Sequence, residues 1–387
     1  MKIGIPKEIM EGETRVSVVP SMVPVLTRDK HEVFVEAGAG VRAAFLDKQY
    51  EEQGATIVPG PEELYGNAEA VIKFQAPQHN EQVGKHEIDM MQEGAILMSS
   101  LPPRLHKELL PRLLQRKITA FGMEYIPRIT KAQSMDVLSS MSTVAGYKAV
   151  LVAAYHLGKF FPLLMTAAGT IPPVTVLVLG AGVAGLQAIA TAKRLGARVE
   201  AFDPRPAVKE QVESLGARFV EMELPEDVET AGGYAKAQPE EFLRKEREAI
   251  AARLPKVDAV ITTAQVFGSR SPLLITEEMV KTMQLGSVIV DLAVAEGGNC
   301  ELSKPNQAVE KYGVTIFGAV NIASTLPVHA SQMHSKNVTN LFKYIFKDGE
   351  RTIDFQDEIV KSCCLTHNGE LVNEMVKKAF LEETKDD

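Results

Sequence analysis

Short apolar runs punctuate the first third of this chain at Lys2–Ile5, Glu32–Glu36, Thr56–Pro59, Ala68–Phe74, Ala95–Ser99 and Ile118–Met123. Their length and composition predict buried strands. Between several of them the apolar residues fall at helical spacing, as in Pro103–Gln115. Strands that alternate with helices predict a parallel sheet wrapped by helices. A second set of runs follows at Val174–Leu179, Arg198–Phe202, Ala259–Thr263, Ser287–Leu292 and Thr315–Gly318. Between the two sets, Ser134–Phe160 reads as one long helix. Phe161–Val178 then reads as a hairpin around Ala168-Gly169-Thr170, its return stiffened by Pro172-Pro173. A helical pattern at Ile322–Phe346 carries the chain out of the second set, and the remainder is expected to return to the first. The pattern therefore predicts two α/β domains, one from 1–136 with 327–387 and one from 137–326.

The stretch from Val174 to Asp203 gives the second domain its chemistry. An apolar strand ends at Gly180. A G-x-G-x-x-G follows as Gly180, Gly182 and Gly185, a helix opens, and a second strand ends at Asp203. That order gives a short glycine motif its meaning. The first glycine permits the tight turn, the second lets a pyrophosphate approach the backbone, and the third lets helix and sheet pack closely. Val183 and Ala184 open the helix, whose free N–H groups and partial positive charge suit phosphates. Asp203 is placed to accept hydrogen bonds from an adenosine ribose and to repel a 2′-phosphate, so the site is expected to take NAD(H) rather than NADP(H). The fold class predicted is thus α/β with two Rossmann-like doubly wound domains, a cleft between them, and a chain that crosses the hinge twice. Arg205 either reaches the phosphates or is solvated. Thr262-Thr263-Ala264-Gln265 follows a strand, so Ala264 and Gln265 are candidates for the adenosine or ribose edge, because ligands bind at strand C-termini in such sheets. Gly38-Ala39-Gly40 lacks a third glycine and a following acid, and reads as a turn.

Composition narrows the classes. The chain has 387 residues, 45% hydrophobic and 24% charged, which suits a globular protein. A net charge of -8 argues against nucleic acid as a partner. Cys300, Cys363 and Cys364 lack metal-ligand spacing and read as reduced thiols of a cytoplasmic protein. The eight histidines are scattered, so no metal site is expected. The N-terminus does not resemble a signal peptide. The most apolar region, Val144–Leu179, is broken by Lys148, His156, Lys159, Pro162, Pro172 and Pro173, so no direct membrane insertion is expected.

The opening IPKEIMEGETRVSVVP, with Lys7, Glu8 and Arg15, and the dinucleotide stretch resemble the alanine dehydrogenase and nicotinamide nucleotide transhydrogenase superfamily. The segments PRITKAQSMDVLSS, MTAAGTIPP, GVAGLQAIATAKRLGA, KEQVESLGA, ETAGGYAK, LITEEMV and VIVDLAVAEGGNCELS resemble its transhydrogenase side, specifically the soluble NAD(H)-binding component of proton-translocating transhydrogenases. The resemblance covers nearly the whole chain. It implies a homodimer, with the hairpin near Ala168 as a candidate exchanged arm. It also implies membrane-spanning and NADP(H)-binding partner subunits, and a cytoplasmic location peripheral to the inner membrane.

Alanine dehydrogenases share this layout but carry groups that handle an imine and an amine. By resemblance, Gln75 stands where that family has a lysine, Pro102 follows the strand where it has a histidine, and Ala295 stands where it has an aspartate. Arg15 remains. Hydride exchange between two nicotinamides needs no general base, so those absences suit it. They also suit a non-catalytic NAD binder. The resemblance places Arg128, Gln133 and Asp136 near the nicotinamide as the candidate catalytic loop, with Gln133 orienting the ring, Arg128 and Asp136 holding the loop, and Ser139 bonding the carboxamide. On spacing alone, Thr130-x-x-Gln133 is also a candidate capping box. Gly233 and Tyr234, in a long acidic stretch over Glu221–Gln238, suit either a hinged flap over the cofactor or an exposed loop.

Overall fold

A computed structural model of the chain describes residues 1–221, 240–266, 268–346 and 351–383. It divides into two units: Met1–Met141 with Ser324–Asp387, and Ser142–Ala323, so the chain passes between units twice. Each unit is built on its own largely parallel sheet.

In the first unit six parallel strands lie in the spatial order Thr56–Val58, Glu32–Glu36, Lys2–Ile5, Ala70–Ile72, Ile96–Ser99, Thr119–Gly122. Two antiparallel strands from the end of the chain, Cys364–His367 and Glu370–Leu371, extend the edge beyond Thr119–Gly122. In the second unit the order is Arg218–Phe219, Arg198–Phe202, Thr175–Leu179, Ala259–Thr262, Val288–Asp291, Val314–Gly318, with Ala308–Lys311 antiparallel at the edge. Counted along the chain, the six parallel strands of each sheet run 3-2-1-4-5-6, the doubly wound order. In both sheets the winding reverses between the first strand and the fourth. Ligands of such sheets bind outside the strand ends at that reversal.

The second unit shows why the strands read as unbroken apolar runs. Val176 and Val178 of one strand join a core on one face with Ala149, Val150 and Ala153 of the long helix and Ala188, Ile189 and Ala192 of the helix after the glycine turn. Leu177 and Leu179 face the other way, into a core with Phe202, Ile250, Leu254, Val260 and Ile289. A strand buried on both faces needs no polar alternation.

Three departures from the sequence reading have physical causes. The long helix spans Val137–His156, and a 3-10 turn at Thr130–Met135 precedes it. Asp136 divides them by capping the helix: its carboxylate accepts from the Ser139 N–H at 2.9 Å. By length and composition alone this helix could cross a membrane, with 20 residues and a mean hydropathy of 1.4, despite the polar residues expected to break the region. Lys148 is its one charged side chain, too few to break the run, and Ala149, Val150 and Ala153 belong to a packed core. Finally, the antiparallel edge strands escaped the reading. Ala308–Lys311 has no fully buried residue, so its hydrophobic pattern is absent. The hairpin is present as Leu164–Thr166 paired with Gly169–Ile171.

Candidate functional site

The glycine turn lies at the reversal point of the second sheet, between the Thr175–Leu179 and Ala259–Thr262 strands. Gly180 has φ +93, which side-chain-bearing residues rarely adopt. A Cβ on Gly185 would stand 1.9 Å from the Gly180 carbonyl oxygen, so only glycine lets the helix begin this close to the strand. A Cβ on Gly182 would meet nothing within 4 Å. The protein leaves that space open, where a pyrophosphate would approach. The helix Val183–Arg194 starts immediately after, and the N–H groups of Val183, Ala184 and Gly185 have no intrahelical partner. The turn is also locked from behind. Thr263 Oγ1 donates to the Gly180 carbonyl at 3.1 Å, and the Gly146 backbone packs so closely on Ala184 that a Cβ would lie 2.0 Å from its carbonyl oxygen. The residues present thus fit a dinucleotide.

Asp203 is buried at the end of the neighbouring strand. Its carboxylate accepts from the Ala181 N–H at 2.6 Å, which ties it to the turn. It also accepts from the Arg205 backbone N–H at 2.9 Å and from the guanidinium Nε and Nη2, both at 2.8 Å. In this structure the Arg205 guanidinium is clasped to Asp203. Ala264 and Gln265 follow the fourth strand. The Ala264 N–H donates to Asn299 Oδ1 at 3.0 Å, and Gln265 Nε2 donates to the Leu292 carbonyl at 3.0 Å.

Sequence reasoning missed what holds that loop. Asp291 is fully buried and accepts from Thr262 Oγ1 and from the N–H groups of Ala293, Asn299 and Cys300. Asn299 in turn bonds the Ala264 and Pro272 carbonyls. Asp-x7-Asn in the apolar context VIVDLAVAEGGNC was the available signal. Gly233 and Tyr234 lie outside the described residues.

The Arg128–Ser139 loop belongs to the first unit. The capping-box alternative is not realised: Ile129 is the cap position of the 3-10 turn and no side chain caps it. The turn is instead pinned to the Pro327–Ile345 helix, where Asn337 and Asn340 both donate to the Ser134 carbonyl, at 2.9 and 3.1 Å. Lys131 lies 4.7 Å over the Tyr344 ring and pairs with Asp357. Ala132 and Met135 are buried beneath, while Arg128 and Gln133 are exposed. Asp136 also accepts from Ser139 Oγ at 2.6 Å, so these two site candidates are joined to each other.

The reversal point of the first sheet is filled by its own side chains. Lys73, fully buried, sits between Glu87 at 2.7 Å and Glu8 at 3.5 Å, and Tyr65 also donates to Glu87 at 2.6 Å. Burial pushes the Glu8 carboxyl up to about 7 despite the Lys73 charge. Beside it the Arg15 guanidinium stacks 3.8 Å over the Phe74 ring, whose neighbour is His334 at 4.0 Å. Glu13 takes Arg15 Nε at 2.7 Å and Nη2 at 2.6 Å, and also takes Gln75 Nε2 at 2.6 Å. Burial opposes ionisation of Glu13, but the Arg15 and Gln75 bonds hold it down at about 2. Among the described residues no group of three or more His, Cys, Asp or Glu is placed to hold a metal.

Two family models match successive stretches of the chain: the N-terminal domain of alanine dehydrogenase/PNT over residues 4–145 and its C-terminal domain over residues 149–374. The chain belongs to the alanine dehydrogenase/PNT family. Within it, the chain is 48% identical over 377 residues to an NAD(P) transhydrogenase subunit alpha protein of Rhodospirillum rubrum, covering 96% of this chain and 98% of that one. A solved transhydrogenase from Sinorhizobium meliloti has 39% identity and a TM-score of 0.85, covering 96% of this chain and 100% of the other. A solved L-alanine dehydrogenase has 28% identity and a TM-score of 0.80, covering 99% of both chains. At the three positions where the sequence suggested missing dehydrogenase groups, Gln75 is engaged by Glu13, Pro102 precedes a 3-10 turn at Pro103–Leu105, and Ala295 is exposed in another at Val294–Glu296.

Proposed function

We propose that this chain is the NAD(H)-binding component of a proton-translocating transhydrogenase. It passes a hydride between NADH and NADP+ held on a partner subunit, and a membrane-spanning partner couples that transfer to proton movement. The observation that carries this reading is the 48% identity, over 96% of the chain, to a transhydrogenase subunit alpha protein. The geometry agrees with it. The open glycine turn suits the dinucleotide, while Arg15 is neutralised by Glu13 rather than presented to a small carboxylate substrate. The name of that relative, a subunit, points to further chains, which would place this one in the cytoplasm at the inner membrane.

Exchange between two nicotinamides moves a hydride and no proton, so the protein's task is positioning and exclusion of water. Gln133, on the pinned turn, and Arg128, just before it, are assigned to the nicotinamide end. Asp136 supports them by capping the helix behind. Ser139 gives its proton to Asp136, so it would meet the carboxamide as an acceptor. Gly180, Gly182, Val183, Ala184 and Gly185 take the pyrophosphate, and Asp203, Ala264 and Gln265 the adenosine end.

The decisive experiment mixes the protein, loaded with NADH, with an NADP-binding partner domain and follows hydride transfer by rapid mixing. No transfer, with NADH binding and complex formation both confirmed, would overturn the proposal. Robust turnover of alanine and NAD+ without a partner would do the same. Gln133→Asn withdraws the amide by one methylene and is expected to slow transfer about ten- to a hundred-fold while leaving NADH affinity nearly unchanged. An unaltered rate would remove Gln133 from the site.

We further propose that the chain is a homodimer that uses its hairpin. Met165 on the hairpin is 79% exposed, Tyr155 is 85% exposed, and Phe160 and Leu163 between them are also exposed. Large apolar residues concentrated in this way mark a contact surface. Met165→Glu is expected to shift the protein toward monomer in sedimentation velocity. An undisturbed dimer, or a monomeric parent, would count against this assignment.

A further inference from the structure

Asp203 alone does not explain how this site refuses a 2′-phosphate. Its carboxylate is in direct contact with the Arg205 guanidinium, so the two charges nearly cancel for a ligand a few ångströms away. An arginine at this place in a dinucleotide fold is the group that accommodates a 2′-phosphate. Taken by themselves, the two residues therefore give the site little charge preference between the two nucleotides.

A second carboxylate stands behind the pair. Two observations place the Glu240–Ala251 helix against the Arg198–Phe202 strand. Just past the helix, Arg253 Nε bonds Glu200 at 2.7 Å, in the middle of the strand. Ile250 shares a core with Phe202, the last residue of the strand. Glu246 lies one helical turn before Ile250 on the same face, which continues the line beyond the strand end to Asp203. It is 5% exposed, and among the described residues no hydrogen bond reaches its carboxyl. Burial first, and then the nearby Asp203 charge, push it up to about 7, with the neighbouring Arg247 cation opposing them. A carboxyl this buried, with no hydrogen bond to it among the described residues, contributes little to stability.

We propose that Glu246 is the specificity residue that denies this site a 2′-phosphate. It restores net negative potential behind the neutral Asp203–Arg205 pair, at little cost to a nucleotide that carries only a 2′-hydroxyl. The inference rests on the nucleotide reading of the glycine turn. In a protein that exchanges hydride between two nucleotides, such a residue keeps NADP(H) from occupying both sites.

The test compares the Kd of NADH and of NADPH for the parent and for Glu246→Gln, at about pH 8, where Glu246 is ionised. The neutral isostere is expected to tighten NADPH about five- to ten-fold and to leave NADH within about two-fold. Adding Arg205→Gln is expected to abolish that gain, because the guanidinium is the cation that receives the phosphate. If NADH binds normally and Glu246→Gln leaves NADPH unchanged, Glu246 has no such role. If the parent binds neither nucleotide, the underlying site assignment fails instead. Should the glutamine variant not fold, Glu246→Ala makes the same measurement.

Discussion

Replacing Lys73 with methionine is expected to destabilise the first unit by about 3–5 kcal/mol, the range for breaking a buried ion pair from one side. Lys73 is fully buried against Glu8 and Glu87, and Glu87 also holds Tyr65 and the Gln78 N–H. Removing the cation strands two carboxylates that the fold cannot expose. The pH dependence has a definite sign. Burial already raises folded-state Glu8 from 4.5 to about 7 in the parent, so its favourable contribution is complete below the unfolded value and lost as pH rises through that window. Without Lys73, which lowers Glu8, the folded variant must take up protons that the unfolded chain does not hold. Its deficit should therefore be greatest at alkaline pH and shrink as pH falls toward the unfolded carboxyl value. Urea unfolding at about pH 8 and about pH 5 reads this directly. Equal midpoints for parent and variant at the higher pH would show that the network is not structural.

Gly185→Ala is expected to abolish NADH binding and to cost about 3 kcal/mol, the upper end for overpacking. The added methyl would fall 1.9 Å from the Gly180 carbonyl oxygen, and Thr263 Oγ1 waits at 3.3 Å. Carbonyl and helix start must separate, which pulls the Val183 and Ala184 N–H groups away from the turn. Gly182→Ala meets no protein atom, so any loss it causes would be steric exclusion of the ligand with an unchanged melting temperature. Isothermal titration with NADH and thermal melts of the two variants separate these effects. A Gly185→Ala protein that binds NADH like the parent would refute the close-packing account.

The parallel cores were legible because buried strands announce themselves: Val176, Leu177, Val178 and Leu179 are all apolar since both faces of the sheet are covered. The glycine turn was legible because its three positions serve distinct steric ends. What the sequence could not reveal is pairing across the fold. Asp203 and Arg205 are two residues apart, yet nothing in their spacing says that the guanidinium folds back onto the carboxylate rather than outward. Glu246 sits among Arg244, Lys245, Arg247 and Glu248, where one more charge on a polar helix attracts no notice. Thr130 and Gln133 have the spacing of a capping box, but a 3-10 turn begins there, and its geometry puts Ile129 at the cap. The edge strand Cys364–His367 depends on its partner Thr119–Gly122, more than two hundred residues earlier, a relation no local pattern encodes.

That long-range strand pair bears on the order in which the chain can be completed. The nucleotide unit is one continuous segment, Ser142–Ala323, whereas the other unit draws on both ends of the chain. During synthesis every residue of the glycine-turn sheet is available before the Cys364–His367 strand has been made. The ribosome therefore delivers a whole nucleotide unit while the first sheet still has an open edge at Thr119–Gly122. An unfinished edge is a template for wrong pairing, so the strands that emerge after the nucleotide unit also close a route to misassembly.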